Sequence, residues 1–333
     1  MRNDTLAAAS DTAVWATMGV LALAMVAFAA YLALRASQAP EFQAQRKAAL
    51  VGAGASSSGS SASDLGTDHY IAEPPRDTSR RWGVIGLQLT MVAALLLVAA
   101  VTLRGLSVQR PPLGNMYEFA LAASSFALVI YSAWSLRRER LWLGLFVVTP
   151  VLLILGFARG AWYAEASQLV PALNSVWLVI HVTVATLTVG LFIIGFATAV
   201  LYLLRDRQEQ REALREAEDP APKSWLSALP KAEVLERITY GIHVVAFPLW
   251  TFTLIAGAIW AEQAWGRYWG WDPKEVWTFV IFVVYAAYLH ARATSGWTTR
   301  RSTYLVLAGF GCVVMNYAVV NLFFVGLHSY GGT

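Results

Sequence analysis

Four of the chain's five histidines, His181, His243, His290 and His328, fall in or beside long apolar runs, while His69 sits in a Ser/Gly/Ala-rich stretch. An imidazole in apolar surroundings is costly, so it is either satisfied by a backbone carbonyl or kept as a metal ligand or proton carrier. The second concentration is indole. Five of 14 tryptophans lie in the 18 residues Trp260–Trp277, beside Tyr268, Gly266 and Gly270. Indole is a large flat apolar surface with one N–H donor, suited to membrane interfaces and to flat ligands. An aromatic interfacial belt fits the composition, but belts spread over all helix ends and this chain concentrates its indoles at one. Cys312 is the only cysteine, which excludes an internal disulfide, a CxxC motif and a thiolate metal site. Any thiol chemistry must come from a partner.

These side chains have to be positioned by membrane helices. The 333 residues are 57% hydrophobic and only 14% charged, with a mean hydropathy of +0.51, against about 25% charge in a soluble globular protein. The net charge of +4 is carried by arginines clustered between apolar runs, a topology signal and not a nucleic-acid-binding one. Runs able to span a bilayer occur at about 13–34, 82–104, 116–136, 141–158, 176–204, 238–262, 274–291 and 302–327. The expected fold is all-α, a polytopic membrane helical bundle of about eight transmembrane helices. Asp4 and Asp11 before the first run, and Arg35, Arg46 and Lys47 after it, mark an uncleaved N-terminal transmembrane helix (1–36) and not a signal peptide. Residues 37–81 read as a flexible cytoplasmic linker, with His69 inert inside it. Residues 82–333 form the main membrane domain. The basic clusters at Arg137–Arg140, Arg205–Arg215 and Arg292–Arg301 all follow odd-numbered helices, which places those loops inside and both termini outside. The tryptophan loop is then outside, with Arg104, Arg110, Arg159 and Arg267 as outer exceptions that a ligand bearing carboxylates would explain.

That topology sorts the histidines by depth. His290 lies 17 residues after Pro273, and His243 lies 17 residues before Trp260, so both sit roughly 26 Å from the tryptophan loop, near the inner leaflet. His181, near the start of the fifth helix, and His328, just after the eighth, share the outer level with the loop. An iron porphyrin needs axial imidazoles, a flat aromatic surface and cations for its propionates. The outer layer supplies all three, with Arg267, Arg159 and Arg110 as candidate cations.

The run Trp-Gly-Arg-Tyr-Trp-Gly-Trp-Asp-Pro-Lys-Glu-Val-Trp (265–277) resembles the tryptophan-rich WWD segment of the haem-handling proteins of c-type cytochrome biogenesis. Within that superfamily it is most similar to the CcsA/ResC type, which some bacteria call CcsB. Gly257-Ala-Ile-Trp-Ala261, Tyr288-Leu-His290 and Gly326-Leu-His-Ser-Tyr330 extend the resemblance, which runs from about residue 85 to the end. It implies a WWD loop at 260–277 in a CcsA-like domain of the bacterial cytoplasmic membrane, active on its extracytoplasmic side, with haem b as transient ligand and substrate. By order and motif, His181 and His328 match the family's outer axial ligands. His290 matches its membrane-embedded histidine, whose partner ligand is usually supplied by a CcsB/ResB-type subunit. Trp260, Trp265, Trp269, Trp271, Tyr268, Asp272 and Arg267 belong to the pocket on this reading. Apocytochrome c and thiol-reducing thioredoxin-like proteins are the other implied partners, along with membrane lipid.

His243 has no counterpart in the resemblance. It is either a satisfied helix-end histidine or a second ligand near His290. Antiparallel neighbours only about 8–10 Å apart leave little room for a haem, which favours the first. Pro111-Pro-Leu-Gly-Asn-Met-Tyr-Glu118 reads as a helix start with Asn115 as N-cap, and is similar to a family segment with a pocket role. Asn316 and Asn321 are placed to bond across helices or border the haem path, and Asp272-Pro273-Lys274-Glu275 reads as a second helix start. The leading function is a cytochrome c synthase subunit. It would carry haem to the outer face and hold it for thioether attachment to an apocytochrome CxxCH, with no catalytic residue beyond the haem site. The alternatives are haem transport with ligation by a partner, a b-type electron carrier, and a scaffold without haem.

Overall fold

The computed structural model describes residues 2–55, 78–169, 173–214, 224–294, 296–324 and 326–327, with side chains of the first helix described as far as Ser37. The helices are α1 (Asp4–Ala55), α2 (Thr78–Val108), α3 (Met116–Arg137), α4 (Gly144–Ala161), α5 (Val176–Ala213), α6 (Ala232–Trp265), α7 (Pro273–Ala293) and α8 (Thr299–Phe323). All eight are long and apolar enough to cross a membrane, and no strand occurs among the described residues. This is what a bilayer demands, because a helix satisfies its backbone N–H and C=O groups within one segment.

Each expected span is a helix, and most run further than their apolar stretch. The largest extension corrects the linker reading, since 37–55 continues α1 as helix. That piece is rich in Ala, Gln, Lys, Arg and Leu, all strong helix formers. The Ser/Gly tract begins only beyond it, and residues 56–77, with His69, lie outside the described residues.

Small residues set the packing. The buried face of α2 carries Gly83, Gly86, Thr90, Ala93, Ala94 and Ala100, so α1 lies close along it and inserts Phe28 and Tyr31. Ser10 Oγ donates to the Ala100 carbonyl at 2.7 Å across that seam. Helices α1 to α5 and the start of α6 share one apolar core, and α5 to α8 share a second around Phe192, Trp250, Ile281 and Tyr285. Between them, α5 and α6 run antiparallel in extensive contact. Leu95, Leu153, Ile255 and Phe279 point outward, as expected of surface that meets lipid tails.

The caps at the tryptophan end follow from sequence. Asn115 accepts the Glu118 N–H at 2.9 Å and starts α3. Asp272 accepts the Lys274 N–H at 3.0 Å, and Glu275 returns to the Asp272 N–H at 3.1 Å, closing a capping box over Pro273. Gly266, at φ 69°, ends α6 in the left-handed conformation that glycine adopts without strain.

Candidate functional site

A cavity of about 200 Å³ opens at the tryptophan end of the bundle, between α3, α5, α6, α7 and α8. Its lining is mostly apolar and aromatic, including Phe119, Trp250, Trp260, Tyr268, Trp269 and Tyr317. The polar groups on its wall include His181, Lys274, Glu275, Thr278, Asn316 and Asn321, with the Glu275 carboxylate taken up by the Gly270 and Asp272 N–H groups. An apolar concavity with a few converging polar groups is the usual form of a small-molecule site.

His181 lies one and a half turns into α5, whose N-cap Ser175 accepts the Trp177 N–H. Its Nδ1 sits 2.9 Å from the Thr253 carbonyl on α6. A carbonyl can only accept, so Nδ1 carries the proton and Nε2 is the ring's basic nitrogen. The ring stacks on Trp260 at 11° with centroids 6.1 Å apart, and Trp260 meets Trp265 edge-on at 4.8 Å. Room for the imidazole comes from Gly257, where a Cβ would fall 2.7 Å from its Cε1. The small residue there accommodates a side chain, a more specific task than close helix contact.

The other expected site residues divide. Tyr268 and Trp269 line the cavity, while Trp265 supports Trp260 from behind. Trp271 is 72% exposed and holds φ 59°, a left-handed backbone that a bulky residue rarely adopts. Asp272 does double work. Its Oδ1 caps α7 and its Oδ2 accepts the Leu327 N–H at 2.7 Å, fastening the chain after α8 to the tryptophan segment. His328 lies outside the described residues.

The candidate cations are engaged elsewhere. Glu118 is buried and takes Arg104 and Arg110, each at 2.9 Å. Arg267 pairs with Glu275 at 3.4 Å and lies over Gly270, and Arg159 covers the Tyr163 ring at 3.6 Å. Nearby, Tyr163 donates to Asp11 at 2.6 Å, and burial followed by that carboxylate raises the phenol's pKa. The arginines at this end therefore have protein partners, and internal ion pairing accounts for Arg104 and Arg110 without a ligand. Among the described residues Lys274 is the cation that reaches the cavity wall, and Asn316 and Asn321 line it as the sequence suggested. Lys274 and Thr253 were not legible as site residues. A lysine in a helix's first turn, against the helix dipole, was the available signal for Lys274; a backbone carbonyl such as that of Thr253 leaves none.

At the opposite end the two remaining histidines part company. His243 is 0% exposed, with Nδ1 at 2.7 Å from the Thr239 carbonyl and no partner for Nε2 among the described residues. Phe192, Tyr285 and Tyr288 enclose its ring, with centroids 5.1–5.9 Å away. His290 instead is exposed on α7, on the same stripe as Phe279 and Val283.

Residues 113–328 match the protein family described as "Cytochrome C assembly protein". The chain is 37% identical over 258 residues to "Cytochrome c biogenesis protein CcsA" of Guillardia theta, covering 74% of this chain and 85% of that protein. It is 36% identical over 298 residues to the protein of the same name from Synechococcus sp. (strain JA-3-3Ab), covering 75% and 84%. Among solved structures, "Cytochrome c Heme Lyase CcmF" superposes with a TM-score of 0.55 at 16% identity, over 92% of this chain. This chain spans just under half of that longer one, 46%, and the likeness is one of fold.

Proposed function

Because the chain belongs to the cytochrome c assembly family, with a role in cytochrome c maturation, we propose that it is the haem-presenting subunit of a cytochrome c synthase. The observation that carries this reading is His181. Its ring is fixed by Thr253, backed by Trp260 and set in the wall of an aromatic cavity with Nε2 as the basic nitrogen. That is the donor and surface a porphyrin iron requires. The fit is favourable, since a Gly257-shaped recess holds the imidazole and the walls offer indole and phenol faces.

His181 would hold the iron from α5, with His328, which follows the Leu327 that Asp272 fastens, as its second ligand. Trp269 and Tyr268 cover the macrocycle's apolar edge and exclude water. Haem b enters as substrate, not as a resident cofactor. Each cysteine thiol of an apocytochrome CxxCH adds across one vinyl group, sulfur to one carbon and the thiol proton to the other, with no net oxidation. The chain contributes positioning, worth several orders of magnitude when reacting atoms are held in near-attack geometry. The tryptophan end faces outward, where thioredoxin-like proteins keep the substrate's thiols reduced. His290, exposed on an apolar helix face, meets the imidazole of a CcsB/ResB-type subunit where haem is loaded.

The test is co-expression with that subunit and a reporter apocytochrome, reading bound-haem absorbance and covalent haem together. We expect a low-spin spectrum and holocytochrome, both lost with His181→Ala. Haem binding without covalent product, when only these proteins are present, would reduce the role to transport. No bound haem under any condition would end the proposal.

A further inference from the structure

The cavity wall also carries a polar patch contributed by α7 and α8. Lys274 Nζ lies 2.9 Å from the Asn316 carbonyl, an acceptor in the π-helical turn Met315–Val319 that interrupts α8. A π turn shifts the hydrogen-bond register and is often found at functional sites. Nζ has three donors, and no carboxylate pairs with it among the described residues. Asp272, its near neighbour in sequence, commits both oxygens to backbone N–H groups. Asn316 is 8% exposed, gives Nδ2 to Thr278 Oγ1 at 3.1 Å, and leaves Oδ1 buried without a partner. Lysine is also at the unfavourable end of the α7 dipole. The protein thus holds the Lys274 amine in a cavity wall, at the unfavourable end of a helix dipole, and completes neither its donors nor its neighbour's acceptor.

We propose that Lys274, seated on the π turn beside Asn316, is the anion subsite of the cavity and receives a propionate carboxylate of the haem. This deepens the haem reading and rests on it. The ammonium gives two charge-assisted hydrogen bonds to the carboxylate, and Asn316 Oδ1 accepts from a water bridging to it. The arginines at this end, held by Glu118, Glu275 and aromatic faces, build the scaffold and do not bind the ligand. Lys274 also fixes the rotation of the macrocycle about the iron axis, and with it which vinyl groups face the incoming thiols.

The experiment is a titration of the full chain in nanodiscs with iron protoporphyrin IX and, separately, with its dimethyl ester, which lacks both carboxylates. We expect Lys274→Met to weaken protoporphyrin binding about tenfold, to leave the ester unchanged, and Lys274→Arg to keep most of the difference. Equal weakening of both ligands would assign Lys274 a structural role and overturn the inference. So would no change for either. If the wild-type chain binds neither porphyrin, the haem reading itself falls. If it binds both and the variants match it, only this subsite falls.

Discussion

Helices α5 and α6 meet twice with the same device, and the two meetings end differently. His181 of α5 nests on Gly257 of α6, and His243 of α6 nests on Gly195 of α5, with fourteen residues from histidine to glycine on each helix. The antiparallel pair therefore repeats itself about 21 Å along the axis. In both places Nδ1 meets a backbone carbonyl of α6, Thr253 or Thr239, so both rings share a tautomer. What differs is the third side. His181 borders the cavity and Trp260, whereas His243 is sealed by Phe192, Tyr285 and Tyr288. A histidine, a glycine seat and a carbonyl make a held imidazole. The neighbouring helices decide whether anything can reach it.

The strongest way to break this comparison is to remove each ring. His181→Ala should abolish the low-spin haem spectrum and holocytochrome formation while the fold persists. His243→Ala should keep the spectrum and lose about 2–4 kcal/mol of stability through the cavity it leaves, read as a lowered unfolding temperature. A lost spectrum with His243→Ala alone would make the inner site a ligand site. Next come the seats. In Gly257→Ala the new Cβ, 2.7 Å from His181 Cε1, should displace the ring and weaken haem binding roughly tenfold or more. Gly195→Ala, 2.5 Å from His243 Cε1, should cost about 1–3 kcal/mol by overpacking without moving the absorbance maximum. Asp272→Ala should cost about 1 kcal/mol through the lost cap and also loosen the segment at Leu327. Hydrogen exchange should then show faster opening of the α7 start than of its far end. The smallest effect belongs to Arg237–Glu233, an exposed i,i+4 pair on α6. Arg237→Ala should leave both spectrum and unfolding temperature unchanged within error.

The eight helices and two of their starts were legible because apolar length, Asn115 and the Asp272–Glu275 box are local signals. The positions of His181, His243 and His290 along their helices were legible for the same reason, since they follow from counting residues. Partnership was not. Glu118 lies fourteen residues from Arg104 and holds it in a buried pair, and only the packed bundle shows that this arginine is taken. The glycines carried a clear message of small size, but the rings they seat lie on the facing helix. His290 differs from His243 only in which side of its helix it occupies, and periodicity did not settle that in a segment apolar nearly all round. Lys274 sat in plain view inside the motif, read as part of a helix start while its side chain ran into the cavity.

One hydrogen bond has a consequence for how the protein is made. Tyr317 Oη donates to the Met116 carbonyl at 2.7 Å, joining α8 to α3 across 201 residues and closing one wall of the cavity. At about 5–20 residues per second of synthesis, α3 waits roughly 10–40 s for that partner. Until α8 is inserted, the cavity beside His181 lacks the wall that Val313, Asn316, Tyr317 and Asn321 supply. A ribosome that stalls in the last helix leaves a product with its aromatic segment and no pocket. Completion of the chain is thereby built into competence to hold the ligand.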